Sequence, residues 1–352
     1  MQENKMSENL QAELPLPLIK QFSTQGLEKA ENELVQMYGG RYIEYRRQWN
    51  LAGNFDYEPP FPLYIMMEQT YRCNMRCLSC IHAYPELQRK FSFDISCMPW
   101  NLYEKVILEG EKNNCPSIST HNNDEPLLVK DLEARIAFAK EHGFMDIIMT
   151  TNGIMFNEER IMGVINAGVT RILFSIDALT EETYDSVRVG GDFKKVLWAL
   201  NKTIEYKKKL GTNLPIVRVS FAVNSLNRHE LKQFIEEYST IADYIDIQPY
   251  YTWKNANSKL IPEDADLVRD FRCNSPWRIL IVRGNGDVLP CPNFYGVEVT
   301  VGNIYNESLR VIFASDIMKR MRRDFKNKIY RHPACFECSN GLYKIDMRKI
   351  QV

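Results

Sequence analysis

The stretch LYIMMEQTYRCNMRCLSC, residues 63–80, indicates both the fold and the chemistry of this chain. It begins with an apolar run, Leu63–Glu68, which predicts a short buried strand. Three cysteines, Cys73, Cys77 and Cys80, follow that strand directly with C-x3-C-x2-C spacing. Three thiolates so closely spaced suit a four-iron cubane cluster, which then keeps one iron without a protein ligand.

Zinc is the alternative occupant of this loop. Structural zinc takes four protein ligands, commonly as two separate cysteine pairs, and His82 is the only nearby candidate for a fourth. The spacing therefore favours the iron–sulfur cluster.

Beyond this loop, short apolar runs alternate with longer stretches of helical spacing. The predicted strands are Leu63–Glu68, Ser117–His121, Asp146–Thr150, Arg171–Ile176, Ile216–Val223 and Tyr244–Gln248. The predicted helices are Trp100–Lys112, Leu132–His142, Glu158–Ala167, Lys194–Leu210 and Arg228–Tyr238. Six strands alternating with helices indicate parallel β/α units, an α/β fold that closes partly into a TIM-like (β/α)6 barrel.

Alternation within the strands predicts which faces line this barrel. Arg218 and Ser220 share one face of their strand, and Asp246 and Gln248 share one face of theirs, while the opposite faces are apolar. Apolar faces pack against the outer helices, so we expect the polar faces to line a hollow, ligand-holding interior. The active site is then expected at the C-terminal strand ends.

A second cysteine group lies near the C-terminus and consists of Cys273, Cys291, Cys335 and Cys338. The first two stand at the outer ends of a predicted β-hairpin with an Asn-Gly turn, and a predicted helix over 309–325 precedes the C-x2-C pair. Four cysteines brought together in this way can enclose one metal centre, either an iron–sulfur cluster or zinc.

Composition places the chain among globular enzymes. It has 352 residues, 45% hydrophobic and 25% charged, which excludes a disordered or fibrous protein. The net charge of −1 gives no electrostatic case for nucleic acid or an anionic membrane as partner. No apolar run is long enough to span a bilayer and no secretory signal is evident, so we expect a cytoplasmic protein. In that reducing compartment, nine cysteines indicate metal ligands before disulfides.

Three regions are predicted along the chain. Residues 1–60 form a helical extension, with helical spacing over 18–37 and a break at the prolines of 59–62. Residues 61–262 form the barrel, and residues 263–352 form a small iron–sulfur domain built from the β-hairpin and a helix.

These motifs resemble the radical S-adenosylmethionine (radical SAM) superfamily from about residue 62 to the C-terminus. The segment 121–128, HNNDEPLL, stands where the family has Gly-Gly-Glu-Pro after the second strand. The later strand ends that match are 150–153, 174–178, Asn224 and 247–249. Two departures are Asn123-Asp124 in place of the two glycines, and Ser79 in place of the usual aromatic residue before the third cysteine.

The resemblance implies that the three-cysteine loop holds a [4Fe–4S] cluster whose open iron binds S-adenosylmethionine (SAM), and that reductive cleavage of SAM gives a 5′-deoxyadenosyl radical. The residues that it assigns to SAM are Asn123, Asp124 and Glu125 at the methionyl amine, Ser175 and Arg188 at the carboxylate, and Asp177 at the ribose. On the sequence alone, Asp177 could instead cap the following helix, and Arg188 could pair with Asp185.

The C-terminal cysteines resemble the twitch domain, a shortened form of the SPASM domain. That resemblance implies one auxiliary [4Fe–4S] cluster held entirely by protein, which moves an electron to or from the substrate radical. Similar enzymes oxidise an alcohol of a sugar or aminocyclitol, or epimerise such substrates.

Both reactions need a further catalytic group. Oxidation needs a base for the hydroxyl proton, and Arg218, Asp246, Tyr250 and Tyr251 are the candidates at the barrel end. Epimerisation needs a hydrogen donor such as the Cys97 thiol, because Cys115 is expected at the opposite end of the barrel.

The leading interpretation is a radical SAM oxidoreductase that oxidises or epimerises a small polar substrate and takes electrons from a donor such as flavodoxin or ferredoxin. The alternative is a maturase of a ribosomally synthesised peptide. The first sixty residues are short and helical for a winged-helix leader-binding domain, which favours the small molecule. A zinc-stabilised, non-enzymatic binding protein is the remote alternative.

Overall fold

The structure is a computed structural model that describes residues 20–23, 25–93, 95–252, 257–347 and 350. The first 19 residues of the predicted extension lie outside the described residues. The strands are β1 Lys20–Ser23, β2 Tyr64–Glu68, β3 Ser117–Ser119, β4 Asp146–Thr151, β5 Arg171–Ser175, β6 Ile216–Ala222, β7 Tyr244–Gln248, β8 Tyr250–Tyr251, β9 Ala265–Leu267, β10 Ile279–Arg283, β11 Asp287–Leu289, β12 Gly302–Asn303 and β13 Leu342–Ile345. The helices are α1 Gln25–Tyr38, α2 Gly40–Gly53, α3 Pro85–Phe91, α4 Trp100–Lys112, α5 Leu132–Glu141, α6 Glu158–Asn166, α7 Glu181–Val187, α8 Phe193–Leu210, α9 Leu231–Tyr238, α10 Ser275–Arg278, α11 Leu309–Phe313, α12 Asp316–Lys326 and α13 Pro333–Asn340.

Strands β2 to β7 are parallel neighbours in consecutive order, which confirms the predicted α/β fold with a partial barrel. Helices cover the outer face because the apolar side of each strand needs a partner that excludes water. The longest of them, α8, begins where the Asp192 carboxylate accepts the N–H of Lys195 and ends at Gly211, whose φ is +66°. None of the helices in the described ranges is long and apolar enough to cross a membrane.

The sheet extends beyond the barrel at both edges. Strand β10 runs parallel to β2, with Arg283 opposite Glu68, and β11 and β12 follow it. The hairpin predicted for the C-terminal region therefore continues the barrel sheet. At the other edge, β1 pairs antiparallel with β7, where helical spacing had predicted helix. An unpaired β7 edge would leave backbone N–H and C=O groups without partners, which favours a strand there.

Helices α1 and α2 close the N-terminal end of the barrel. Arg171, which faces inward from the start of β5, donates to Glu31 of α1 at 2.9 Å and to Asp146 at 2.7 Å. The Tyr42 hydroxyl donates to the same Glu31 carboxylate at 2.6 Å. The interior that the sequence predicts to be hollow is thus filled, in its N-terminal half, by the chain's own buried polar groups.

The C-terminal region adds a small antiparallel sheet of order β8-β13-β9, which the sequence did not predict. The single helix predicted over 309–325 is two helices, because the Ser315 side chain accepts the N–H of Met318 and starts α12 afresh. Cys335 and Cys338 lie on the short helix α13, three residues apart and therefore on one face.

Candidate active site

The loop after β2 brings Cys73, Cys77 and Cys80 to the C-terminal end of the barrel. Cys77 is buried and the other two are half-buried. Burial, together with the charges of the neighbouring cysteines, raises the pKa of the Cys73 thiol to about 12 and that of Cys80 to about 11. Three thiols that influence one another electrostatically and are shielded from water fit a cluster that would bind them as thiolates, since the positive charge of iron would counteract both effects.

Arg188 and Asp177, both predicted to contact SAM, meet beside this loop. They form a buried ion pair, and Arg188 Nη1 lies 3.6 Å from the Sγ of Cys77. Asp177 Oδ1 also accepts the backbone N–H of Ala222 at 2.8 Å. Thr180, not Asp177, caps the following helix, so the local alternatives of a helix cap and an Asp185 pair do not hold.

Asp124, predicted at the methionyl amine, ties the first two loops of the barrel together. Its carboxylate accepts the backbone N–H groups of Gln69 and Asn122 at 2.9 Å each and of Thr70 at 3.1 Å. Burial, with the nearby Glu68 charge, raises its pKa to about 8. Where the family has its second glycine, this chain therefore has a carboxylate that accepts hydrogen bonds from its own backbone.

Glu125 makes a similar connection to the end of β4. Its carboxylate accepts the Thr151 hydroxyl at 2.6 Å and the Asn152 N–H at 2.9 Å. The Asn152 side-chain amide in turn lies 3.9 Å from the Sγ of Cys73. Contact of Asn123, Asp124 and Glu125 with SAM stays a prediction.

Glu68 and Arg283 form a hub that the sequence analysis missed. Both are buried, and Arg283 Nε donates to Glu68 Oε1 at 2.5 Å. The other carboxylate oxygen of Glu68 accepts the side-chain amides of Asn122 at 2.9 Å and Asn123 at 3.1 Å. A single charged residue at the end of each of two otherwise apolar strands, β2 and β10, was the available signal.

Arg218 and Asp246, two of the predicted catalytic residues, lie inside the barrel and not at its mouth. They form an ion pair that is almost completely buried, and the guanidinium stacks 4.6 Å from the Tyr244 ring centroid. Asp246 is in register with Ser220, and Ser220 is in register with Ser175, the predicted carboxylate ligand of SAM. Asp246 therefore lies two strands from β5, at the level of its last residue, and Arg218 lies on the strand between them.

The remaining predicted residues lie in separate places. Cys97 is half-buried beside the loop after β2, where Met98 N–H donates to Gln69 O at 2.6 Å, and burial raises the pKa of its thiol. Tyr250 is buried and its hydroxyl donates to a backbone carbonyl, Asn257 O, at 3.0 Å. Cys115 is buried at the start of β3, as its sequence position predicts.

The four C-terminal cysteines line one cavity, shared with aromatic side chains. The residues that line it include Cys273, Cys291, Cys335, Cys338, Val299, Met321 and Phe325. Burial raises the pKa of all four thiols, that of Cys335 to about 12. The four buried thiols come from the segment before α10, the segment after β11 and helix α13. Such a set fits a cluster whose metal ions are all held by protein.

Local packing keeps this cysteine cavity small. Gly296 passes so close to Cys291 that an added Cβ would stand 2.3 Å from the Cys291 carbonyl oxygen, so no other residue fits there. The N–H of Asn293 points at the Cys291 Sγ at 3.3 Å. Tyr251 is the last residue of β8, three residues beyond the end of β7. Burial raises its pKa, and the charges of Cys338, Cys291 and Cys273 raise it as well.

A parallel barrel with a three-cysteine loop at its strand ends and a second, four-cysteine site defines a class of iron–sulfur enzymes. Residues 67–237 match the radical SAM superfamily, and residues 273–339 match SPASM, an iron–sulfur cluster-binding domain. The chain therefore carries a radical SAM domain and a SPASM-type domain. These two domains imply a [4Fe–4S] cluster that binds SAM and an auxiliary iron–sulfur site.

Relatives with stated functions differ in chemistry. A GTP 3′,8-cyclase of Clostridium botulinum is 27% identical over 216 residues, 58% of this chain and 65% of the cyclase. The antilisterial bacteriocin subtilosin biosynthesis protein AlbA of Bacillus subtilis is 22% identical over 325 residues, 84% of this chain and 68% of AlbA. The crystal structure of Streptococcus suis SuiB bound to SAM has a TM-score of 0.58 at 15% identity, over 89% of this chain and 80% of SuiB, which shows the fold alone.

Proposed function

We propose that this enzyme oxidises an alcohol carbon of a small polar substrate, such as a sugar or aminocyclitol, to a carbonyl. The observation that carries the proposal is the closed four-cysteine cavity, which Tyr250–Tyr251 connects to the last barrel strand. An auxiliary site without an open metal position serves electron transfer better than substrate binding. The cyclase relative also acts on a small polar molecule, as its name states.

When bound at Cys73, Cys77 and Cys80, a four-iron cluster supplies the electron that cleaves SAM and so yields the 5′-deoxyadenosyl radical. Arg188 and Asp177 are proposed to orient SAM from the β5 side. Asn123 is proposed to bind its amine from the β3 side. Burial of these groups excludes water, which protects the radical from side reactions.

The oxidation balances as follows at the substrate. The carbon gives its hydrogen atom to the deoxyadenosyl radical and the hydroxyl gives its proton to a base. The remaining electron would be accepted by an iron–sulfur cluster held by Cys273, Cys291, Cys335 and Cys338. We assign the base to the Asp246 carboxylate, because it faces the barrel interior at the level of Ser175 and is held in place by Arg218. Tyr250 is a weaker assignment because its hydroxyl already donates to a carbonyl.

A second candidate function is modification of a ribosomally synthesised peptide. It is favoured by AlbA, whose similarity spans the barrel and the SPASM region, whereas the cyclase match covers 58% of this chain. Against it, the described part of the predicted extension is used to close the barrel through Glu31 and Tyr42.

The first test is iron and sulfide content after anaerobic reconstitution. Two four-iron sites predict about eight of each per chain, falling to about four in the variant Cys335→Ala/Cys338→Ala. That variant should still release 5′-deoxyadenosine from SAM but should not form the carbonyl product. Zinc in place of iron in the wild-type protein would contradict the proposal.

The second test is a screen of polyols and aminocyclitols with 5′-deoxyadenosine release as the readout, driven by dithionite or by reduced flavodoxin. Oxidation predicts a product two mass units lighter than the substrate. A product that has the mass of the substrate in H2O and is one mass unit heavier in D2O would indicate epimerisation instead, with Cys97 as the hydrogen donor. Release that depends on a peptide would support the second candidate.

A further inference from the structure

Positive charge is concentrated on α12 and the turn after it. Residues 316–331 contain seven Lys and Arg and two acidic residues, which leaves 37 basic and 43 acidic residues for the rest of the chain. The exposed cations of this stretch are Lys319, Arg320, Arg323, Lys326, Lys328 and Arg331, and we call them the basic face. The chain as a whole is nearly neutral, so this face is a local feature.

Three of the six cations of the basic face have an acidic partner in the described part of the chain. Asp324 pairs with Arg331 at 2.8 Å and lies 3.8 Å from Arg323, and Lys328 pairs with Asp270. Lys319 and Arg320 make no ion pair with any residue in the described part of the chain. The surface is therefore available to an acidic partner.

The basic face borders an apolar groove that backs onto the auxiliary cysteines. Ile317 and Ile329 line the groove and are 51% and 41% exposed. Val299, Met321 and Phe325 line both this groove and the cavity of the four cysteines. One layer of side chains therefore separates the groove from the auxiliary site.

We propose that this face docks an acidic one-electron carrier protein of the flavodoxin or ferredoxin kind. Exposed apolar residues beside cations, two of which have no acidic partner among the described residues, have the composition of an interface centre and rim. Nucleic acid would also be attracted by the cations, but its phosphate backbone would not fill an apolar groove, and it would gain nothing from the auxiliary site behind that groove. The inference rests on the proposed oxidation, which leaves one electron at the auxiliary site in each turnover.

The step at this interface is a single electron transfer. The carrier gains one electron, the auxiliary site loses one, and no bond or proton is exchanged. Repeated turnover requires this step, because an auxiliary site that stays reduced cannot accept the next electron.

The test compares carrier binding by two charge-reversal variants of the reconstituted enzyme. Lys319→Glu/Arg320→Glu alters the basic face. Lys208→Glu/Lys209→Glu makes the same charge change at the exposed end of α8, where the chain returns to the N-terminal end of the barrel. Calorimetry with flavodoxin and with a [2Fe–2S] ferredoxin at low salt should give a Kd about tenfold weaker for the first variant and within about twofold of wild type for the second. Added salt should weaken wild-type binding.

Equal carrier affinities in both variants would overturn the proposal. It would also be overturned if a DNA duplex bound the wild type more tightly than Lys319→Glu/Arg320→Glu while flavodoxin bound the wild type and both variants alike. Iron content shows whether each variant is folded. Failure of the oxidation proposal is distinguishable: the wild-type enzyme would then form no carbonyl product with dithionite, whatever the carrier binds. If carbonyl forms with dithionite and carrier binding ignores α12, only the docking inference fails.

Discussion

Asp177 is a residue whose backbone conformation shows how tightly the site is specified. Its φ is +59°, in the left-handed region that costs a non-glycine residue about 1–2 kcal/mol. The conformation is maintained by the ion pair to Arg188 and by the hydrogen bond from Ala222. Strained residues of this kind concentrate at functional sites, which agrees with a role for Asp177 beside bound SAM.

Arg188→Met should weaken SAM binding by about tenfold, roughly 1.4 kcal/mol, and leave the iron content unchanged. The reason is that Asp177 loses its partner while all three cysteines remain. The measurement is equilibrium dialysis with labelled SAM. Arg160→Met, which breaks the 2.8 Å pair with Glu133 away from the cysteines, is the matched control and should keep wild-type affinity. Wild-type affinity in Arg188→Met would contradict its assignment.

His121 predicts a pH dependence of stability. It lies buried in the barrel, where burial, together with the Arg218 charge, lowers its pKa from 6.5 to about 3. Below pH 6.5 the unfolded chain therefore binds a proton that the folded chain does not, and stability through this group falls as pH falls. Between pH 7 and pH 5, wild-type protein should lose about 2 kcal/mol more stability than His121→Asn. Urea unfolding at both pH values measures this difference, and parallel losses would refute it.

At the scale of elements, the hairpin β10–β11 joins the C-terminal region to the SAM side of the barrel. Arg283 ends β10 and is stacked between the rings of Tyr71 and Phe93, each with its centroid 4.9 Å from the guanidinium carbon. Through Glu68 it orients the side chains of Asn122 and Asn123. The C-terminal region thus fixes the Asn122–Asn123 segment, which is predicted to bind SAM.

Arg283→Met should destabilise the protein by about 3–5 kcal/mol, because Glu68 is left as an unpaired buried charge. It should also weaken SAM binding, since the Asn122–Asn123 segment loses its fixed acceptor. The double variant Glu68→Gln/Arg283→Met removes both charges and should recover most of the stability. Urea unfolding of the three proteins checks this, and a double variant no more stable than Arg283→Met would contradict the account.

At the scale of the whole molecule, the two ends of the barrel have different tasks. The C-terminal end carries Cys73, Cys77 and Cys80 and the residues predicted to contact SAM. The N-terminal end is closed by α1 and α2 through the network of Glu31, Tyr42, Arg171 and Asp146. Stability and chemistry are therefore separable by mutation.

Glu31→Gln should lower the free energy of unfolding by about 2 kcal/mol, since it weakens buried charge-assisted hydrogen bonds from Arg171 and Tyr42. The rate of SAM cleavage should stay unchanged because this network lies at the opposite end from Cys73. Glu28→Gln, an exposed position on the same helix, is the control and should leave both quantities unchanged. Thermal unfolding together with 5′-deoxyadenosine release separates the two effects. A loss of cleavage in folded Glu31→Gln would contradict the division.

The sequence by itself determined the cysteine ligand groups, the six barrel strands and the side of each strand that faces inward. These are local properties: ligand spacing within one loop and the two-residue period of a strand are readable without knowing what lies opposite. Arg218 and Asp246 accordingly meet in a buried ion pair on the side that their positions in β6 and β7 predict.

Tertiary structure alone decided how distant segments meet. Glu68 and Arg283 are 215 residues apart, and their pairing exists only because β10 lies beside β2. Strand β1 and the Glu31–Arg171 contact depend in the same way on the edge and the end that the finished barrel leaves open. A local pattern specifies the kind of element that forms, but buried charges and strand edges select their partners only when the folded backbone brings them together and excludes water.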